Sequence, residues 1–147
     1  MIRTDAEYRG SLKQLEDGEA MLRVEEAMLR KKGLTAKQVQ EALQPTRFFQ
    51  DQIRSEVVTY ERLKRQEFDE LHNLQGLGEL LIALRIASGL SQCELAERMG
   101  VHESQVSRDE RNEYSGVTVD RANRIIEVLG AVVTTRVEKV LALARSA

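Results

Sequence analysis

The chain has 147 residues, of which 41% are hydrophobic and 31% charged, so it can build a hydrophobic core and is not expected to be disordered. Its single cysteine excludes an internal disulfide framework, and its net charge of −2 argues against loose binding to nucleic acid, which needs a basic surface. With one proline and 4% aromatic residues, helix-forming residues dominate and predict an all-α fold. No apolar run approaches the length of about 20 residues that crosses a bilayer, so we expect a cytoplasmic protein without membrane contact.

The first predicted helix begins with a capping box. Thr4 and Glu7 have the Thr-x-x-Glu spacing, in which each side chain accepts from a backbone N–H that the helix leaves unpaired. Apolar residues then recur at spacings of three, four or seven. The helix is predicted to end near Lys31-Lys32-Gly33, because basic residues suit the negative end of a helix dipole and glycine suits its C-terminal cap.

A second capping box at Thr35 predicts a short helix through about Leu43, which Pro45 should end. A long helix is predicted from Thr46 to about His72. It cannot bury its apolar stripe alone, so its partner is either the first helix, folded back as an antiparallel hairpin, or the hairpin of a second subunit. Residues 1–73 are therefore predicted to form a hairpin for dimerisation or partner binding, with the contact residues Phe49, Ile53, Val57, Tyr60 and Leu63.

The pattern changes after this hairpin. Residues 74–78 contain two glycines and no charge, which predicts a hinge. Residues 79–137 then show short helical patterns, punctuated by glycines, at about 79–88, 91–98, 102–112 and 118–129. Residues 131–137, at the end of this stretch, are rich in β-branched residues, so a strand is an alternative to a helix there. The C-terminal tail, 138–147, is predicted to be helical.

Residues 91–110 have the spacing of a helix-turn-helix. The small Ala96 lets two helices cross closely, Gly100 can adopt the positive φ of the turn, and Val106 packs back into the angle between the helices. In this motif the second helix enters the major groove, and its outward N-terminal residues contact base edges. An arginine such as Arg108 can donate two parallel hydrogen bonds to guanine, and a glutamate such as Glu103 can accept one from cytosine.

Several short motifs surround this spacing. They are Leu81-x-x-Leu84-Arg85, Gly89-Leu90-Ser91-Gln92, Leu95-Ala96, Gly100-Val101 and Val106-Ser107-Arg108-x-Glu110. With them, residues 77–130 resemble the phage-repressor/Cro-like (Xre) helix-turn-helix family. The resemblance implies a lambda-repressor-like domain of about five helices, and a regulator, mostly a repressor, that binds double-stranded DNA as a homodimer.

The resemblance also implies roles for individual residues. Gln92 matches a phosphate-holding position, and Arg85 and Glu110 match a structural ion pair between the first helix of the domain and the recognition helix. Glu103, Ser104 and Arg108 match the base readers. The complete set of implied DNA-binding residues is Ser91, Gln92, Glu103, Ser104, Gln105, Ser107, Arg108, Arg111, Asn112 and Tyr114, of which Arg111, Asn112 and Tyr114 match phosphate contacts. Asp109 departs from the family, which usually has an apolar residue there.

A shorter motif suggests an alternative. Ile2-x-Thr4-x-x-x-Tyr8, followed by an acidic amphipathic helix, resembles the start of HigA-type antitoxins. That resemblance implies an antitoxin of a type II toxin–antitoxin pair, which regulates its own operon and binds a toxin through the hairpin.

Other classes of site find little support in the sequence. No catalytic set with a supporting context appears, so we expect no enzyme and no cofactor. His72, His102 and Cys93 are isolated from one another in the sequence and predict no metal site. A redox role for Cys93 stays open as an alternative, with His102 the only neighbour able to lower its pKa.

Overall fold

The computed structural model describes residues 1–139, and these contain six α-helices and no strand. The helices are α1 (Asp5–Lys31), α2 (Ala36–Lys64), α3 (Leu77–Ala87), α4 (Gln92–Met99), α5 (Glu103–Arg111) and α6 (Val119–Val128). The predicted all-α fold, with long N-terminal helices before a set of short ones, is confirmed. Residues 131–139 form neither a strand nor a helix. The helix predicted in the C-terminal tail lies almost entirely outside the described residues.

The capping box of α1 forms as predicted. The Thr4 hydroxyl accepts a hydrogen bond from the backbone N–H of Glu7 at 3.2 Å, and the Glu7 carboxylate accepts one from the N–H of Thr4 at 3.2 Å. At the other end, Gly33 has φ +84°, a backbone conformation that costs glycine little. The chain therefore turns back at the predicted place.

Pro45 does not end a helix, and this prediction was wrong. It lies inside α2, which runs without a break from Ala36 to Lys64. A proline in a helix interior removes one backbone hydrogen bond and costs about 3 kcal/mol. Val39 and Leu43, both buried, precede it, and burying each contributes about 1.5–3 kcal/mol. Packing on the N-terminal side of the proline therefore offsets its cost.

The long helix also ends earlier than predicted, at Lys64 and not near His72. Gln66 has φ +62°, and its N–H bonds the Leu63 carbonyl at 2.9 Å, while the Glu67 N–H bonds the Arg62 carbonyl at 3.0 Å. This pair of bonds is a Schellman motif, which closes the last helical turn. Glutamine in place of glycine hides the motif from the sequence.

Helices α1 and α2 form an antiparallel hairpin, so the first helix is the partner of the second. The rings of Tyr8 and Tyr60 stack with centroids 5.0 Å apart. The Tyr60 hydroxyl donates to Asp5 at 2.6 Å, and the Tyr8 hydroxyl donates to Glu61 at 2.7 Å. Burial, together with the bond to Asp5, raises the pKa of Tyr60. The tyrosine of the N-terminal motif therefore has a packing role within the chain.

The hairpin and the short helices share one hydrophobic core. Ile2, Val57 and Tyr60 from the N-terminal part pack in the same cluster as Leu81 and Ile82 of α3. Val57 and Tyr60 are only 6% and 5% exposed. These two predicted partner contacts thus face the interior of their own chain. Phe49 is exposed, and Ile53 and Leu63 are half-buried.

Helix α3 begins at Leu77 and includes Gly78, so the last two residues of the predicted hinge 74–78 are helical. The backbone of another segment lies very close to Gly78. A Cβ atom added to it would lie 1.8 Å from the carbonyl oxygen of Glu113. The glycine lets α3 pack directly against the loop that follows α5, and this contact fixes that loop against the core.

We expect Gly78→Ala to destabilise the protein by about 1–3 kcal/mol, because the backbone of Glu113 must move to admit the methyl group. Thermal unfolding followed by circular dichroism measures the change. Gly10→Ala is the matched control: Gly10 also lies inside a helix, but nothing lies within 4 Å of an added Cβ. That substitution should stabilise by about 0.5–1 kcal/mol. Equal stabilisation by both would show that the close approach is absent.

Candidate nucleic-acid interface

Helix α4 is anchored at its start by Ser91. The Ser91 hydroxyl accepts from the Glu94 N–H at 3.1 Å, and the Glu94 carboxylate accepts from the Ser91 N–H at 2.7 Å. Hydrogen bonds from the backbone and hydroxyl of Ser91 lower the pKa of Glu94. Ser91 was among the residues implied to contact DNA, and its hydroxyl serves here as the helix cap.

The turn between α4 and α5 has the geometry that its residues predict. Gly100 has φ +68°, and its N–H caps the last turn of α4. Ala96 is 2% exposed and Val106 is 3% exposed, both within the core. The small alanine and the inward valine thus hold α4 and α5 against each other at the positions expected of a helix-turn-helix.

His102 caps α5, a role that the sequence analysis missed. Its Nδ1 accepts from the backbone N–H of Ser104 at 3.2 Å and lies 2.8 Å from the Ser104 hydroxyl. Histidine is outside the usual set of capping residues, so only its place just before Glu103 signals the role. The cap also occupies Ser104, one of the implied base readers, in a local contact.

One face of α5 points to solvent. Glu103, Ser104 and Arg108 are exposed, together with Arg111 at the end of the helix, and Ser107 between them is half-buried. At about 100° per residue these side chains fall within roughly 140° of one another around the helix axis. The sequence-predicted readers therefore share one surface. Gln105 lies at its flank, and Asn112 follows the helix end in an exposed position.

Near its C-terminal end, α5 is fixed by a buried ion pair. The Arg85 guanidinium, on α3, binds both carboxylate oxygens of Glu110, one bond running from Nη2 to Oε2 at 2.7 Å and the other from Nε to Oε1. Glu110 is 0% exposed and the Arg85 side chain 3%. Such a two-pronged pair sets direction as well as distance, so it fixes the rotation of α5 relative to α3.

The same carboxylate holds Gln92. The Gln92 side-chain amide donates to Glu110 Oε2 at 2.8 Å. An amide NH₂ group carries two hydrogens, so the second remains available for an acceptor such as a phosphate oxygen. Arg85 further donates to the carbonyls of Leu90 at 2.8 Å and Arg3 at 3.0 Å. One buried network therefore connects the start of the chain, α3, α4 and α5.

Asp109 forms an ion pair with an arginine of α6. Its carboxylate lies 2.6 Å from Nη2 of Arg121, and both side chains are partly exposed. The guanidinium of Arg121 therefore gives the Asp109 carboxylate a partner within the chain. The pair holds α6 against the end of the predicted recognition helix.

Tyr114 does not share the exposed surface. Its side chain is 6% exposed and packs in the hydrophobic core. Burial raises the pKa of its hydroxyl. Glu113 and Tyr114 both have positive φ, +51° and +49°, which turns the tyrosine inward. The phosphate contact implied for Tyr114 does not fit this placement, and Arg111 and Asn112 remain the exposed residues of that group.

The charge of the exposed surface is mixed. Arg108 and Arg111 are cationic, whereas Glu103 is anionic, with Glu94 and Glu97 nearby on α4. Partial desolvation, and then the carboxylates of Glu103 and Glu97, raise the pKa of the Cys93 thiol. Cys93 is therefore held as a thiol, the form that reacts poorly.

Other kinds of site are not found in the described part of the chain. No group of three or more His, Cys, Asp or Glu side chains in residues 1–139 is placed to hold a metal ion. None of the helices in this range is long and apolar enough to cross a membrane.

Comparison with known families gives one match. Residues 76–138 match the model of a helix-turn-helix domain, which covers all of α3 to α6 and fewer than half of the residues of the chain. The match supports a helix-turn-helix DNA-binding family and indicates a DNA-binding regulator. No curated protein and no solved structure matches the chain.

Proposed function

We propose that this protein is a transcriptional repressor that binds an inverted-repeat operator as a homodimer, with α5 in the major groove. The observation that carries the proposal is that α5 is firmly anchored and still exposes polar side chains. The buried contacts of Glu110 with Arg85 and Gln92 fix the helix near its C-terminal end, and Glu103, Ser104 and Arg108 are exposed to solvent. Reading a base sequence needs polar side chains on a rigid element, and this helix supplies both.

Each exposed residue has a role that its chemistry allows. Arg108 donates two hydrogen bonds to the O6 and N7 of a guanine, and Glu103 accepts one from the N4 amine of a cytosine. Gln92 donates its second amide hydrogen to a phosphate oxygen, while its first holds Glu110. Arg111 and Asn112 contact the phosphates next to the recognition helix, which fixes the position of α5 without reading sequence.

Because the exposed surface of α5 carries few positive charges, it favours discrimination between DNA sequences over affinity for DNA in general. A glutamate at the tip of the reading helix repels phosphate wherever no cytosine amine faces it, so incorrect sequences are penalised. The net charge of −2 similarly weakens binding to DNA in general. We therefore infer a protein that binds few sites well and most DNA poorly.

Nuclease protection on the DNA upstream of the protein's own gene tests the proposal. Two protected segments related by inverted symmetry, with centres about 34 Å apart or a multiple of this, are the expected result for a two-fold dimer. The Arg108→Ala variant should need roughly 5- to 150-fold more protein for the same protection. A single segment without inverted symmetry would contradict the homodimer, and protection by Arg108→Ala at an unchanged protein concentration would contradict the assignment of α5.

A further inference from the structure

Helix α1 has two chemically different faces in its C-terminal half. One face carries ion pairs: Glu19 with Arg54 at 3.0 Å, and Glu26 with Arg30 of the same helix at 2.6 Å and with Arg47 at 3.6 Å. Because Arg47 and Arg54 belong to α2, these pairs mark one side of the whole hairpin. The charged groups of these pairs therefore have partners within the chain.

The opposite face of α1 carries three exposed apolar side chains, with the exposed Glu25 at their flank. Met21 is 71% exposed, Val24 64% and Met28 53%. Each lies two residues from Glu19 or Glu26, which places it about 160° around the helix from the ion-paired face. Their spacing of three and four residues makes one continuous stripe. On α2, Phe49 is 51% exposed and lies two residues from Arg47, so it belongs to the same side of the hairpin.

The two ends of this stripe carry opposite charges. Asp17 lies seven residues before Val24, and Lys31 lies seven residues after it. Neither makes an ion pair among residues 1–139. They stand about 21 Å apart along the helix, at a rise of about 1.5 Å per residue. The stripe is therefore apolar in the middle, acidic at one end and basic at the other.

We propose that a second copy of this chain covers the stripe, with the two α1 helices antiparallel and crossing at Val24. In this arrangement, residues equally far before and after Val24 face each other. Asp17 of each copy then meets Lys31 of the other. A parallel arrangement would instead place like charges opposite each other at both ends, which destabilises helix pairs.

The side-chain sizes fit the same register. Ala27 is as far after Val24 as Met21 is before it, and Ala20 is as far before Val24 as Met28 is after it. Each methionine of one copy therefore packs over an alanine of the other, which is the alternation of large and small residues that close helix packing uses. Charge and volume thus select the same antiparallel pairing, and this self-complementarity is what a two-fold symmetric interface requires.

This inference rests on the homodimer of the proposed function. It places the dimer contact at the exposed stripe and not at the predicted contacts Val57 and Tyr60, because these two residues are buried. Sedimentation equilibrium of the full chain without DNA tests it, so its failure is separate from a failure of DNA reading. A contact about 21 Å long is at the small end of specific interfaces, and we expect a dissociation constant on the order of micromolar. A monomer at 200 µM, roughly a hundred times that value, would overturn the proposal and leave the stripe to a partner of different sequence.

Val24→Glu places two like charges at the crossing point and should yield a monomer with unchanged helix content by circular dichroism. Val58→Glu is the matched control. Val58 is 48% exposed and lies four residues from Arg54, on the ion-paired side of the hairpin, so the dimer should persist. Equal loss of the dimer in both variants, or in neither, would contradict the assignment of the surface.

Charge reversal tests the antiparallel register. Asp17→Lys and Lys31→Asp should each weaken the dimer several-fold, because each places like charges opposite one another. The double variant restores opposite charges at both ends and should return the dissociation constant to within about threefold of the original, which is less than 1 kcal/mol. A double variant weaker than either single variant would exclude the antiparallel pairing.

Discussion

Replacing Glu110 by alanine is expected to lower the free energy of unfolding by about 3–5 kcal/mol, because the substitution leaves the Arg85 guanidinium charged, buried and without its partner. Arg85 lies 2% exposed in the middle of the core. For a domain of this size such a loss is a large part of the total stability of about 5–15 kcal/mol. Chemical denaturation monitored by circular dichroism measures the loss.

Two controls separate the ion pair from ordinary packing. The double variant Arg85→Met with Glu110→Leu replaces both charges by apolar groups and should recover most of the loss, since a buried ion pair is often matched by well-packed hydrophobic residues. Glu26→Ala breaks the exposed pair with Arg30 and should cost less than about 1 kcal/mol. A Glu110→Ala variant as stable as Glu26→Ala would contradict the assigned role of the buried pair.

Arg108→Ala is expected to weaken binding to the operator by about 1–3 kcal/mol and to relax the preference at one base pair. The cause is the loss of two hydrogen bonds to one guanine, and competition binding with operators substituted at each position measures it. Stability should not change, because the Arg108 side chain is exposed and makes no hydrogen bond within residues 1–139.

Arg111→Ala is the matched comparison for Arg108→Ala. As a phosphate contact, Arg111 should contribute equally to every DNA sequence, so its loss weakens binding to operator and to unrelated DNA by the same factor. The two arginines stand three residues apart on the same helix, which makes the contrast sharp. If both variants lose affinity uniformly, Arg108 is a phosphate contact and the reading role falls to the other exposed residues.

The short helices were predictable because local signals fix them. Ser91 and Thr118 cap α4 and α6, Gly100 closes α4, and the predicted bounds of all four short helices lie within two residues of those observed. Caps and glycines act over a few residues, so a single sequence reveals them. The pairing of Arg85 with Glu110 came from a family resemblance, which carries contact information that spacing alone lacks.

The wrong predictions concern residues whose positions depend on packing against residues that are distant in the sequence. Pro45 reads locally as a helix end, but the burial of Val39 and Leu43 stabilises the turns that precede it. Tyr114 reads as an exposed loop residue, and positive φ angles at Glu113 and Tyr114 turn it into the core. A local sequence pattern does not show which residues lie close to one another in the folded chain. The same reason explains why the burial of Ile2 beneath the short helices was missed.

The most direct test of the central claim is a salt-titrated binding assay of the purified full chain on the DNA upstream of its own gene, with scrambled DNA as control. We expect the upstream DNA to bind about 10³-fold more tightly or better, with the difference persisting as salt rises, because base contacts depend on salt less than phosphate contacts do. Equal, weak binding to both DNAs that disappears with salt would contradict the claim that α5 reads this sequence.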